Sequence, residues 1–119
     1  MGQQSTGHHG TGLTLRQLKQ LRAKLVSTRD DVLERLAEEE EEARSSDALP
    51  EPMDAAELSR EQGDGALFVE RSRQLLREIE AALARMDAGT YGVSERSGEP
   101  IDFARLNAVP WARIAADED

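Results

Sequence analysis

Two long amphipathic segments, separated by a proline-containing turn, constrain the fold of this chain more than any other feature. Apolar residues recur in the first segment at steps of three and four, at Leu15, Leu18, Leu21, Leu25, Val32 and Leu36. The second segment has a compatible stripe of Leu58, Leu67, Leu75, Ile79, Leu83 and Met86. This spacing places the apolar side chains on one face of a helix. Because each face must be covered and the turn is short, the pattern predicts an all-α fold, a long antiparallel coiled-coil hairpin.

Polar residues and prolines mark the ends of the first helix. Thr14 can accept a hydrogen bond from a free amide of the first turn, so we expect it to be the N-cap. The helix is predicted to run to about Arg44. Pro50 and Pro52 lack an amide donor and restrict the residue before them, so they end the helix at the turn.

The second helix has its own start and stop signals. Asp54 and Glu57 have the three-residue spacing of a capping box, and Gly89 supplies the C-terminal stop. The Gly63-Asp64-Gly65 segment interrupts the pattern. Each glycine costs about 1 kcal/mol relative to alanine in a helix interior, which predicts a kink or a frayed segment there.

Composition limits the chain to one small domain and excludes several kinds of site. It has 119 residues and no cysteine, so disulfides and thiolate metal sites are excluded. No apolar run approaches the roughly 20 residues that span a bilayer. The first twelve residues have neither a basic start nor an apolar core, so they do not resemble a signal peptide. We therefore expect a cytoplasmic protein that does not contact membranes.

The net charge of −9 is distributed unevenly along the chain. Residues 1–29 carry +5, residues 30–64 carry −11 and residues 65–119 carry −3. Because affinity for nucleic acids depends on neutralising phosphates, this balance argues against direct binding of DNA or RNA. It favours a protein partner with a positive or metal-containing cleft.

These features divide the chain into three parts. Residues 1–12 form a low-complexity polar tail that we expect to be disordered. Residues 13–88 form the hairpin, with its tip near 45–56, and residues 89–119 form a compact knob with an acidic tail. In the knob, Asp102 is expected to cap a short helix. The apolar residues available for its core are Val93, Ile101, Phe103, Leu106, Trp111 and Ile114.

No group of residues supports catalysis, and we expect no enzyme activity. Both histidines lie in the polar tail, and no glycine-rich phosphate loop follows a strand. Carboxylates are abundant, chiefly in the run Glu38–Glu42. That run is interpreted as a solvated helix face, with a functional acidic surface as the alternative.

The knob contains the most specific motif of the chain. The segment from Gly89 to Ala112 reads GTYGVSERSGEPIDFARLNAVPWA. It closely resembles the C-terminal zinc knuckle of the DksA/TraR family, bacterial regulators that bind RNA polymerase. The matching positions are Gly89, Tyr91, Gly92, Gly98, Ile101, Arg105, Leu106, Ala108, Pro110 and Ala112. The family's four cysteine ligands are replaced here by Ser94, Ser97, Ala115 and Glu118.

The resemblance implies a zinc-finger-like knob that lacks its metal. A serine hydroxyl stays protonated near neutral pH and is a poor ligand, so Ser94 and Ser97 cannot replace thiolates. We therefore expect neither zinc nor any other cofactor, and we expect packing to hold the knob together.

The resemblance also assigns a role to the hairpin turn. Members of the family insert an acidic tip through the polymerase secondary channel toward the active-site magnesium. Glu51-Pro52-Met53-Asp54-Ala55-Ala56 occupies the corresponding place, and Asp54 lies 40 residues before Ser94, as in the family. The implied tip residues are Glu51, Asp54 and Ala56. The alternative for Asp54 is an ordinary N-cap, and the two roles are compatible.

Some members of the family respond to guanosine tetraphosphate through basic residues. Arg71 and Arg105 stand at such positions and are implied as polymerase or alarmone contacts. Glu78 stands where a lysine is expected, and a carboxylate facing a pyrophosphate is unfavourable. The sequence therefore argues against dependence on the alarmone.

The resemblance thus implies a monomeric transcription regulator that binds RNA polymerase through its secondary channel. One alternative is a coiled-coil adaptor or homodimer unrelated to transcription, although a dimer would need a second apolar face. Another is a passive channel blocker that competes with other channel-binding factors.

Overall fold

A computed structural model describes residues 12–48 and 55–119, with side chains for 12–44 and 65–119. Helix α1 spans Leu15–Ala48, α2 spans Ala55–Ala88 and α3 spans Phe103–Ala108, and a 3-10 turn covers Ala116–Glu118. Within these residues the only β pairing is an isolated bridge between Val93 and Pro100. The prediction of an all-α fold built on a two-helix hairpin is confirmed. The predicted tail, residues 1–12, lies almost entirely outside the described residues.

The start of α1 is fixed by a reciprocal pair of hydrogen bonds. Thr14 Oγ1 accepts from the Gln17 amide at 3.0 Å, and Gln17 Oε1 accepts from the Thr14 amide at 3.0 Å. Thr14 is therefore the N-cap, as predicted, and Gln17 completes a capping box. Leu13 and Leu18, on either side of the box, are both buried at the positions of a hydrophobic staple.

The structure differs from the sequence predictions at the end of α1 and in the absence of a frayed segment in α2. Helix α1 ends at Ala48 rather than near Arg44. Nothing breaks the helix before Leu49, whose helical conformation is disfavoured by Pro50. Helix α2 is continuous through Gly63-Asp64-Gly65, without the expected frayed segment. A penalty of about 1 kcal/mol per glycine is small enough for tertiary packing to override.

The contacts divide the chain into two units, one of residues 12–28 with 78–119 and one of residues 29–77. The first unit contains most of the buried apolar side chains: Leu13, Leu18, Leu21, Leu25, Ile79, Ala82, Leu83, Met86, Tyr91, Ile101, Leu106 and Ala112. In the second unit Val32 is buried, whereas Leu67 is 48% exposed. Leu15, predicted to be in the apolar stripe, is 58% exposed, whereas Leu13, just before the helix, is buried.

The core of the knob differs from the predicted one. Ile101 and Leu106 are buried as expected, but Trp111 and Ile114 are only half-buried. The largest fully buried side chain is Tyr91, whose hydroxyl donates to the carbonyl oxygen of Pro110 at 2.8 Å. Asp102 precedes α3 as predicted, but its side chain makes no capping hydrogen bond.

None of the described helices combines the length and the apolar composition needed to cross a membrane.

Candidate functional site

The four positions that correspond to the zinc ligands lie together in one hydrogen-bonded group. Ser94 is 3% exposed, and its hydroxyl donates to Glu118 Oε1 at 2.6 Å. The Ala115 amide donates to the same carboxylate oxygen at 2.8 Å. The Ser97 amide donates to Ser94 Oγ at 3.2 Å. We call this group, Ser94, Ser97, Ala115 and Glu118, the carboxylate cluster.

A tight backbone turn positions the serine side of the cluster. The Ser94 amide donates to Glu99 O at 2.9 Å, and the Gly98 amide donates to Ser94 O at 2.9 Å. Gly98 has a φ of 77°, a conformation that residues with a Cβ rarely adopt. The turn also aims the Arg96 amide at Ser94 Oγ, at 3.1 Å. The Ser94 oxygen therefore accepts two amide bonds while it donates to the carboxylate.

The carboxylate side of the cluster comes from the 3-10 turn. Ala115 is the N-cap of this turn, and its amide donates to the carboxylate of Glu118, the last residue of the turn. The Arg96 guanidinium donates to the backbone oxygen of Glu118, and Arg105 Nη2 lies 3.8 Å from Asp119 Oδ2. These two contacts hold residues 115–119 against the knuckle turn and against α3.

The hydrogen bonds of the cluster keep Glu118 ionised. The bond from Ser94, followed by those from Ser97 and the Ala115 amide, lowers the pKa of Glu118 to about 2. At neutral pH this carboxylate is therefore an anion that accepts several hydrogen bonds at once.

We expect Ser94→Ala to raise the pKa of Glu118 from about 2 toward its ordinary 4.5, because the largest cause of the depression is removed. A depressed pKa means that the carboxylate stabilises the folded knob above pH 4.5 and that this contribution is lost as the pH falls toward 2. An NMR titration of the Glu118 carboxyl carbon measures this pKa in the unmodified protein and in the variant. Ser27→Ala, the same change on an exposed face of α1, should leave the titration unchanged. An ordinary pKa in the unmodified protein would contradict the hydrogen bonding described above.

An ion-paired group beside the cluster joins α2 to the knuckle. Arg113 Nε donates to Glu78 Oε1 at 2.8 Å, and Arg113 Nη1 donates to Glu95 Oε2 at 2.8 Å. The Glu95 amide also donates to Arg113 O at 2.8 Å. The hydrogen bond to Glu78 is the largest cause that raises the pKa of Arg113. Sequence reasoning singled out Glu78 but missed its pairing with Arg113, because the two residues are 35 positions apart.

Comparison with known proteins identifies the family. No family model matches the chain. An uncharacterized protein of Aquifex aeolicus is 36% identical over 83% of this chain and 71% of its own length. The RNA polymerase-binding transcription factor DksA of Caulobacter vibrioides is 31% identical over 86% of this chain and 72% of its own length. The chain belongs to the DksA/TraR family. The solved structure of transcription factor DksA2 from Pseudomonas aeruginosa supports this, with a TM-score of 0.78 and 28% identity over 87% of this chain and 81% of that one.

As a member of the DksA/TraR family, the chain retains the knuckle without residues suited to zinc. The cluster offers two hydroxyls, a methyl group and a carboxylate whose oxygen already accepts two hydrogen bonds. Zinc in structural sites takes thiolate and imidazole ligands, so these residues do not fit the metal. Within residues 12–48 and 55–119, no group of three or more His, Cys, Asp or Glu residues could hold a metal ion.

The remaining residues implied by the family resemblance are dispersed. Arg105, in the first unit, has a half-buried side chain whose Nε lacks a hydrogen-bond partner. Arg71 belongs to the second unit, where it is exposed beside Phe68 in a shallow depression of about 310 Å³. Glu51 and Asp54 lie outside the described residues. Ala56 falls within α2, but its side chain is not among those described.

Proposed function

We propose that this chain is a transcription regulator that binds bacterial RNA polymerase and needs no zinc to do so. The observation that carries the proposal is the 31% sequence identity with an RNA polymerase-binding transcription factor over 86% of this chain. The carboxylate cluster supports the second part, because it supplies hydrogen bonds at the positions where the family has metal ligands. Binding is the whole mechanism in this proposal, without a covalent step, and it takes place in the bacterial cytoplasm.

The proposed route of binding is the polymerase secondary channel. The stretch 30–64, which includes the hairpin tip, carries −11. A long acidic hairpin suits a narrow pore that leads to a magnesium ion, because the attraction between tip and metal grows as water is excluded. In this proposal Glu51, Asp54 and Ala56 act at the tip, while Arg71 and Arg105 contact polymerase.

The proposed regulator acts without guanosine tetraphosphate. Glu78 stands where the resemblance implies a lysine, and its carboxylate is bonded to Arg113 at 2.8 Å. A pyrophosphate arriving there would meet a carboxylate and would have to compete for a guanidinium that already contacts two carboxylates. This arrangement supports an alarmone-independent function.

Asp54→Asn is expected to abolish the effect on transcription while polymerase binding is nearly unchanged. Asparagine is as good an N-cap as aspartate, so α2 is preserved and only the charge at the tip is removed. Competition with a known channel-binding factor measures binding, and the lifetime of promoter complexes in vitro measures the effect on transcription.

Asp31→Asn, the same charge change on an exposed position of α1, serves as the control and should leave both measurements unchanged. If the Asp54 variant keeps full activity, Asp54 is only a helix cap and the chain is a passive channel blocker. If the unmodified protein does not bind polymerase at all, the alternative of a coiled-coil adaptor or homodimer replaces the proposal.

A further inference from the structure

A groove between the first half of α1 and the knob is not used by any role assigned so far. It lies within the unit of residues 12–28 and 78–119 and has a volume of about 450 Å³. Its lining includes Ala23, Lys24, Ser27, Ala108, Pro110 and Trp111. We call it the knob groove. Trp111 is half-buried here, so part of its indole ring faces solvent rather than the knob core.

The α1 wall of the knob groove contains one charged side chain, Lys24, and further bases precede it along the helix. Lys24 Nζ lies at this wall and donates to both the backbone oxygen and Oδ1 of Asn107, at 2.8 and 2.7 Å. Arg16 precedes the groove residue Ala23 by seven residues, or about two helical turns, and Lys19 precedes it by one turn, so both lie on α1 before the groove begins. Both are exposed, and α1 carries no acidic residue before Asp30. A half-buried tryptophan thus adjoins the only long stretch of the sequence with bases and no acid.

We propose that the knob groove binds an acidic segment of RNA polymerase that carries an apolar or aromatic side chain. The apolar side chain packs against Trp111 and Pro110, while carboxylates approach Arg16 and Lys19. This inference rests on the proposed function and adds a second contact to it, remote in sequence from the tip. The groove is small and largely apolar, a combination that suits an anchoring side chain of a protein partner.

Two other occupants fit the groove less well. A nucleic acid would be attracted by the bases of α1 but repelled by a chain of net charge −9. A second copy of this chain offers acidic residues in the stretch 30–64, yet two copies of a chain with this charge repel each other as they approach. Both occupants are outcomes of the experiments below.

Trp111, the only tryptophan in the chain, makes the first experiment direct. The probe is a synthetic amphipathic helix of about 18 residues, or five turns, with leucine on one face and glutamate on the other, free of aromatic residues. The expected result is a blue shift of Trp111 emission with this peptide and none with its lysine counterpart. Equal responses to both peptides, or no response, would overturn the charge preference. A shift with a single-stranded oligonucleotide but not with the peptide would assign the groove to nucleic acid, and a shift on concentrating the protein alone would assign it to self-association.

The second experiment uses RNA polymerase core enzyme and measures affinity by competition. Ser27→Trp fills the groove from an exposed position, and Arg16→Glu with Lys19→Glu reverses the charge of the α1 surface that precedes the groove. Each variant should bind polymerase about tenfold more weakly. Because exposed charges are screened, the defect of the double charge variant should shrink as salt is raised.

Arg73→Glu with Arg77→Glu, an equal double charge reversal at exposed positions of α2 in the other unit, is the matched control and should bind normally. Circular dichroism of each variant confirms that the helices are intact. Normal polymerase affinity in both groove variants would overturn this inference and leave the proposed function standing. Failure of the unmodified protein to bind polymerase would overturn both.

Discussion

Replacing all four positions of the carboxylate cluster by cysteine is expected to convert the knob into a zinc site. Ser94 Oγ lies 2.6 Å from Glu118 Oε1, the Ser97 side chain bonds to the same carboxylate, and the Ala115 amide lies 2.8 Å from Glu118 Oε1, so the four positions lie close together. Thiolates around zinc sit about 2.3 Å from the metal and hence about 4 Å from one another, which requires only small adjustments. Structural zinc contributes on the order of 10 kcal/mol to small domains, the largest change expected from any set of substitutions here.

The measurements are zinc stoichiometry and thermal unfolding with and without a strong chelator. The variant should bind one equivalent of zinc and lose stability sharply on chelation, whereas the unmodified protein should unfold identically in both conditions. As a control, Ser94→Ala, Ser97→Ala and Glu118→Ala together remove the hydrogen bonds without adding thiolates, and should be less stable with no response to zinc. A four-cysteine variant that binds no zinc would show that these positions do not converge, and zinc bound to the unmodified protein would contradict a metal-free knob.

Tyr91→Ala is expected to unfold the knob while most of the helix content remains. The ring of Tyr91 is completely buried, and an aromatic side chain replaced by alanine in a core commonly costs about 3–5 kcal/mol. Burial also raises the pKa of its hydroxyl, which is the behaviour of a phenol with little access to water. The loss should appear in chemical denaturation and as faster amide exchange in residues 91–114.

Two further substitutions separate packing from hydrogen bonding. Tyr91→Phe keeps the ring and removes only the hydrogen bond to Pro110 O, so it should cost about 1–2 kcal/mol. Trp111→Ala removes a larger side chain from a half-buried position and should cost less than Tyr91→Ala. If Trp111→Ala were the more damaging of the two, the tryptophan rather than the tyrosine would anchor the knob.

Replacement of the family's four cysteine ligands changes what the stability of the knuckle depends on. A metal site requires deprotonated ligands and a supply of zinc. The carboxylate cluster requires only that Glu118 be ionised, and its pKa of about 2 ensures this near neutral pH. The knob therefore depends on local hydrogen bonds and on the packing around Tyr91.

The local features of the fold could be predicted from the sequence. The stripes at steps of three and four predicted both long helices, and Thr14 predicted the first residue of α1, because helix formation and capping depend on residues three or four apart. The loss of the cysteine ligands could also be recognised from the sequence, because the rest of the knuckle motif is intact. The boundaries were less predictable: α1 continues to Ala48 and α2 runs through its glycines, because a local penalty of about 1 kcal/mol per residue does not by itself end a helix.

The family resemblance already grouped Ser94 with Glu118, but only the tertiary structure decided which bonds these and other distant residues make. Tyr91, not Trp111, fills the core of the knob, because its hydroxyl finds Pro110 O across 19 residues of chain. Glu118 reaches Ser94 across 24 residues, and Arg113 reaches Glu78 across 35. No spacing rule links residues so far apart, since their contact depends on how the 3-10 turn, the knuckle and α2 are folded together. Sequence therefore determined that the metal ligands are missing, and the folded chain determined that a carboxylate accepts hydrogen bonds in their place.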